Sequence, residues 1–241
     1  MTGLLVSVRD RVEAELALAA GADLIDLKEP AAGSLGAVSL PAMHEVAVWL
    51  AGRRPLSVAL GELATLNQQL PAAVPAQARY AKLGLADCAK LPDWEDRWRG
   101  ACDRLPTGVA PVAVVYADWA NALAPAPEQV LAAAARANLR VLLIDTYKKQ
   151  SGSLLDLWPV HQLHRFAAAV RSARLKLVLG GSLNLANIPT ALEFEPDYIA
   201  VRGAVCRPNR SGRLDPELLT QVRAAVCGNP LNALSHCRGN A

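Results

Sequence analysis

A repeated alternation constrains this chain more than any other feature. Short, almost wholly apolar runs recur along its 241 residues, and each is followed by an amphipathic, alanine-rich stretch. The apolar runs fall at 4–8, 24–28, 56–61, 80–85, 111–116, 140–145, 176–180 and 198–202. Continuous apolar runs of this length fit parallel strands covered on both faces. The stretches at about 12–20, 40–50, 71–78, 94–105, 127–138, 160–173, 185–192 and 216–226 fit helices, the third of them short and broken by prolines. Strand–helix alternation with right-handed crossovers gives an α/β fold, and eight units close a single (β/α)₈ TIM barrel. The rival is an open doubly wound sheet, which usually carries a Gly-rich dinucleotide loop after its first strand. Here the first run ends in Ser7-Val8-Arg9-Asp10, with no such loop. The expected organisation is one barrel domain over 1–227 and a C-terminal tail over 228–241, which has mixed polarity and no periodicity.

Composition narrows the class. No apolar run reaches the roughly 20 uncharged residues that cross a bilayer. The N-terminus lacks the basic region and cleavage site of a signal peptide, so a soluble cytoplasmic protein is expected. The five cysteines form no C-x-x-C pair, which argues against a disulfide framework or a zinc site. The mild net charge of +3 gives no argument for nucleic acid but suits a small anionic substrate. No cofactor is called for. His161 and His164 have no carboxylate ligand motif beside them and read as a solvated helix face, so no metal site is expected.

Active sites of such barrels lie at the C-terminal ends of the strands. Those ends carry Asp26 and Lys28, then Lys82, then Tyr116-Ala117-Asp118, then Asp145 followed by Lys148 and Lys149. Only six of the 25 basic residues are lysine, so lysines at strand ends stand out. Asp26 and Lys28 are two apart on one strand and share a face. A lysine there is costly to desolvate, and a neighbouring carboxylate offsets part of that cost. Burial and nearby cations favour the neutral amine that a Schiff-base nucleophile requires, and Lys82 and Lys149 can supply those cations or act as general base. The plainer alternative is a buried Asp26–Lys28 ion pair that only braces the barrel.

A second constellation follows strands seven and eight, where this fold usually holds phosphate. Gly180-Gly181-Ser182 and Arg202-Gly203-Ala204 offer backbone N–H groups, a hydroxyl and a guanidinium to an anion. The alternative is a pair of tight turns with a structural arginine. The small-residue loop over 29–37 lies directly above Lys28 and can close on substrate or remain a plain surface loop.

These segments together resemble the (5-formylfuran-3-yl)methyl phosphate synthase family, also called 4-(hydroxymethyl)-2-furancarboxaldehyde-phosphate synthase. The resemblance spans about residues 3–226. It is carried by Leu4-Leu5-Val6-Ser7, by the run from Gly21 to Pro30, by Gly33-Ser34-Leu35-Gly36-Ala37 and by Ala81-Lys82-Leu83-Gly84-Leu85. It continues in Tyr116-Ala117-Asp118, in Asp145-Thr146 with Lys149, in Gly181-Ser182 and in Val201-Arg202-Gly203-Ala204. Glu29, Gly180 and a shortened, Pro-rich stretch between strands three and four depart from the family pattern. The resemblance implies a lyase that joins two glyceraldehyde 3-phosphate molecules into a phosphorylated furan aldehyde, early in methanofuran or methylofuran synthesis and C1 metabolism. It implies Lys28 as the imine-forming residue, Lys82 as proton acceptor, and Asp26, Asp145 and Lys149 as further catalytic groups. Ser7, Gly181, Ser182, Arg202 and Gly203 are the expected substrate and phosphate ligands. The Ala- and Arg-rich composition suggests a bacterial member using methylofuran. The expected partners are the triose phosphate and further copies of the chain.

The expected chemistry runs through an imine on Lys28, loss of a neighbouring C–H to Lys82, elimination of phosphate, attack on the aldehyde of the second triose, and cyclisation with dehydration. A class I aldolase or a decarboxylase of the orotidine-phosphate type is the first rival. The D-x-K of Asp26 and Lys28 is similar to the latter, but no further aspartate follows in Glu29-Pro30-Ala31-Ala32-Gly33. A non-catalytic phosphometabolite-binding barrel is the second.

Overall fold

The computed structural model describes residues 1–228. Eight parallel strands close a barrel in chain order: β1 (Gly3–Val8), β2 (Leu24–Leu27), β3 (Leu56–Glu62), β4 (Tyr80–Gly84), β5 (Ala110–Tyr116), β6 (Val141–Asp145), β7 (Lys176–Leu179) and β8 (Tyr198–Val201). β1 pairs with both β2 and β8, which removes every free edge. The outer layer holds α1 (Arg11–Ala19), α2 (Leu40–Leu50), α3 (Trp94–Cys102), α4 (Pro127–Arg136), α5 (Leu154–Leu157), α6 (Val160–Ser172), α7 (Ile188–Leu192) and α8 (Pro216–Val226). The tail expected at 228–241 lies outside the described residues, apart from Gly228.

Strict alternation divides the core in two. Leu4, Val6, Ile25, Leu27 and Ile144 face the helices, while Leu5, Leu24, Val112, Val114, Leu143 and Val178 fill the barrel interior. Helix starts follow local chemistry. Asp10 caps α1 by accepting the Glu13 N–H, and Asp215 caps α8 by accepting the Glu217 and Leu218 N–H groups.

Three departures from the sequence reading have local causes. The helix expected at 71–78 is a single 3₁₀ turn, Pro71–Ala73, because Pro75 supplies no amide donor and disfavours helical geometry before it. The β3-to-β4 crossover therefore contains no α-helix. The helix expected at 185–192 begins only at Ile188, after Asn184 has folded its side chain onto the Ala186 and Asn187 N–H groups. A hairpin unforeseen in the sequence, β9 (Cys206–Arg207) with β10 (Arg213–Leu214), extends the loop after β8 over the barrel mouth.

Candidate active site

The period-two register that fills the lower barrel with apolar side chains places polar ones in the layer above. Ser7 follows Leu5, Asp26 follows Leu24, Lys82 follows Tyr80 and Asp145 follows Leu143, each two residues further along its strand. Lys28, just past β2, joins the same face. A cavity of about 260 Å³ opens here, lined by Ser7, Lys28, Lys82, Asp145 and Lys149 on one side. Gly181, Ser182, Arg202, Gly203 and Arg210 line the other. Asp26 is fully buried beneath Lys82.

The ion pairs differ from the expected ones. Asp26 does not pair with Lys28. Its Oδ1 lies 2.7 Å from Lys82 Nζ, and its Oδ2 accepts the Ser7 hydroxyl at 2.9 Å. The ammonium approaches Oδ1 off-axis, so this oxygen accepts no directed hydrogen bond. Lys28 instead faces Asp145, with Nζ 3.8 Å from Oδ2. Asp145 Oδ1 is held by Lys149 Nζ at 2.6 Å and by the Thr146 N–H at 2.8 Å. Asp118 accepts the Tyr147 and Lys148 N–H groups at 2.7 and 2.8 Å and so fixes the loop that carries Lys149. Lys148 itself points to solvent.

These neighbours set the titration of the site. Burial is the main force on Lys28 and lowers its pKa to about 8; Asp145 opposes the shift, while Lys149 and Lys82 reinforce it. Burial works to raise the Asp145 carboxyl, but the Lys149 and Lys28 ammonium groups hold it well below the usual carboxylate range. Lys149 is lowered by burial against the pull of Asp145. At neutral pH roughly a tenth of Lys28 is thus free amine, a fraction that grows steeply as pH rises towards 8.

On the phosphate side Arg202 is already fully engaged within the protein. Arg202 reaches the cavity wall but has no donor to spare. It donates to both oxygens of Glu13, to the Ser7 carbonyl at 3.0 Å, to the Arg210 carbonyl at 3.0 Å and to the Gly212 carbonyl at 2.9 Å. Arg202 and Glu13 are both buried, an arrangement that favours the plainer alternative of a structural arginine. Gly181 and Ser182 both adopt positive φ, 81° and 56°, which turns the chain sharply beneath the cavity. Ser182 Oγ lies 3.4 Å from Thr146 Oγ1. In the loop over Lys28, Ser34 Oγ donates to the Thr146 carbonyl at 2.8 Å, so this segment is tied across the barrel to the loop after β6.

Sequence reasoning missed Glu13, Glu62 and Arg210. Glu13 had a signal: it shares the buried stripe of α1 with Ala14 and Ala17, and a carboxylate there requires a partner. Glu62 had none. A bulge between Ala59 and Glu62 turns it inward, where it accepts the Tyr116 hydroxyl at 2.6 Å and the Ala86 N–H at 2.9 Å. Burial raises its pKa and raises that of Tyr116 far more.

The sequence model of 4-HFC-P synthase matches residues 4–223. The chain belongs to the 4-HFC-P synthase family. Among its relatives, the (5-formylfuran-3-yl)methyl phosphate synthase of Methanosarcina mazei is 32% identical, over 92% of this chain and 97% of that one. The enzyme of that name from Methanocaldococcus jannaschii is 31% identical, over 91% and 97%. Among solved structures, 3-hexulose-6-phosphate synthase from Salmonella typhimurium has a TM-score of 0.61 at 11% identity, covering 95% of this chain and all of that one. Phosphoribosyl anthranilate isomerase from Thermus thermophilus has a TM-score of 0.62 at 16% identity, covering 95% and 99%. At these identities the structures share the barrel alone. Membership of the 4-HFC-P synthase family fits an enzyme rather than a passive binding barrel. No described helix is long and apolar enough to cross a membrane.

Proposed function

We propose that this chain condenses two glyceraldehyde 3-phosphate molecules into (5-formylfuran-3-yl)methyl phosphate, with Lys28 as the imine-forming amine. The observation that carries the reading is Lys28 itself. It is a buried amine with a pKa of about 8 at the mouth of a barrel, flanked by two further lysines each held by its own carboxylate. The relatives' name supplies the product.

The free Lys28 amine adds to the aldehyde of the first triose, and loss of water gives the imine. The cationic imine accepts the electron pair of the C2–H bond, and Lys82 takes the proton. The resulting enamine expels phosphate from C3, and Lys149, which lines the same cavity, protonates the leaving oxygen. What remains is an enol whose C3 is nucleophilic. The product's substitution pattern changes one step of the expected course. Attack of C3 on the aldehyde carbon of the second triose gives an unbranched six-carbon chain, and closing it leaves both substituents flanking the ring oxygen. In the named product only the formyl group flanks it. The new bond is therefore made to C2 of the second triose, which reacts as its ketone isomer after a proton shift from C2 to C1. Its C1 hydroxyl closes on the C2 carbonyl of the first unit, two dehydrations complete the furan, and hydrolysis frees Lys28. The net loss is one phosphate and two waters, with no change of oxidation state overall.

Purified protein given glyceraldehyde 3-phosphate is expected to develop the ultraviolet absorbance of a conjugated furan aldehyde and to release one phosphate per product. Borohydride added during turnover is expected to leave a triose-derived mass on Lys28. A hexose bisphosphate product with both phosphates retained means an aldolase instead. Turnover with Lys28 unmodified removes the imine from the mechanism.

A further inference from the structure

We infer that Arg210 is the guanidinium that takes the substrate phosphate, and that Arg202, Glu13 and Arg9 form the clamp that positions it. The inference rests on the triose phosphate reading above, and it starts from how the hairpin loop is held. Three successive carbonyls of that loop accept from buried or half-buried guanidinium groups. Arg202 takes those of Arg210 and Gly212, and Arg9 takes that of Ser211 at 3.1 Å. Both arginines are anchored in turn on the Glu13 carboxylate. Such a clamp costs the desolvation of three charges, and what it fixes is the backbone from which the Arg210 side chain enters the cavity.

That side chain has little structural work of its own. Among the described residues its one polar contact is Nη2 to the Gly33 carbonyl, at a long 3.4 Å, so four of its five donors have no partner. It lines the cavity beside Lys149, Ser182 and Gly203. It is half-buried, and burial lowers its pKa against the pull of Asp145, so its charge is poorly hydrated. Asp145 does not neutralise it, because Lys149 already holds that carboxylate at 2.6 Å. Lys28, Lys82, Lys149 and Arg210 line the cavity, where Asp145 is the one carboxylate among the lining residues and Asp26 lies beneath, paired with Lys82. The surplus of positive charge suits a phosphate dianion, and a planar fork of free donors suits its oxygens.

The test separates phosphate binding from imine formation. Glycerol 3-phosphate has the phosphate but no carbonyl, and its affinity is read by titration calorimetry. Glyceraldehyde has the carbonyl but no phosphate, and its reductive trapping on Lys28 is read by mass. Arg210→Gln is expected to weaken glycerol 3-phosphate binding about tenfold or more, to leave glyceraldehyde trapping unchanged, and to be partly rescued by Arg210→Lys. Glu13→Gln is expected to weaken the same binding in the wild-type background and to add nothing in the Arg210→Gln background. Unchanged binding in Arg210→Gln, or loss of trapping along with binding, overturns the role of Arg210. Full additivity with Glu13→Gln overturns the clamp. A wild-type protein that binds glycerol 3-phosphate but never traps an aldehyde rejects the imine and leaves Arg210 as the phosphate ligand.

Discussion

Lys28 and Asp145 face each other at 3.8 Å across the barrel mouth, too far for a hydrogen bond and close enough for each charge to act on the other. Asp145 keeps Lys28 more basic than burial alone leaves it, while Lys149 and Lys82 keep it less so. Reductive trapping at Lys28 is therefore expected to rise with pH and level off above about 8. Asp145→Asn removes the influence that raises the amine and shifts the curve to lower pH. Lys149→Met removes one that lowers it and shifts the curve to higher pH. Shifts in the same direction for both variants contradict this balance.

The same pair sets the pH dependence of stability. The Asp145 pKa is depressed in the folded state. Its contribution is present above the unfolded aspartate value of about 4 and is lost as pH falls below it. The Lys28 pKa is also depressed, from 10.5 to about 8, so the unfolded state binds more protons across that window and stability rises with pH through it. Thermal unfolding of wild type is expected to show both slopes. Asp145→Asn flattens the acid limb, and Lys28→Met flattens the alkaline one.

Arg202 and Arg210 are expected to fail in different ways. Arg202→Met takes the buried one of the two guanidinium partners from Glu13, leaving only the more exposed Arg9, and is expected to cost about 3–5 kcal/mol of stability, as for other broken buried pairs. Removing both charges in Arg202→Met with Glu13→Leu restores most of it. Arg210→Gln leaves no buried carboxylate behind and is expected to unfold in urea close to wild type. Equal stability losses for the two single variants contradict the assignment of Arg202 to the fold.

The strands and the polar rim were legible because one periodicity produces both. Residues at Leu5, Leu24 and Leu143 and those two positions beyond obey the same pleat. Partner choice within the rim was not legible. Asp26 is in register with Ser57, and Ala59 with Lys82. The small Ser57 and Ala59 side chains on the intervening strand let Lys82 stretch across to Asp26, which frees Lys28 for Asp145. Proximity along β2 says nothing of this. The role of Arg202 was hidden for a similar reason, since its partner is on α1, 189 residues away. Arg210 carried no sequence signal, because only the hairpin brings its loop over the cavity.

Gly84 offers a test of the part of the rim that the sequence did not reveal. A Cβ placed there meets the Glu62 carboxylate and the Tyr116 hydroxyl, the two groups joined at 2.6 Å over this strand position. Neither can retreat freely. The bulge after Ala59 fixes the entry of Glu62, and Tyr116 is buried in the barrel interior. Gly84→Ala is therefore expected to cost about 1–3 kcal/mol through overpacking, measured by urea unfolding. In a Glu62→Ala, Tyr116→Phe background the obstructing oxygens are gone, and the same substitution is expected to cost much less. The difference between the two costs is the coupling energy of the contact. If Gly84→Ala costs the same in both backgrounds, Gly84 serves the backbone of β4 rather than the space that the Glu62–Tyr116 bond requires.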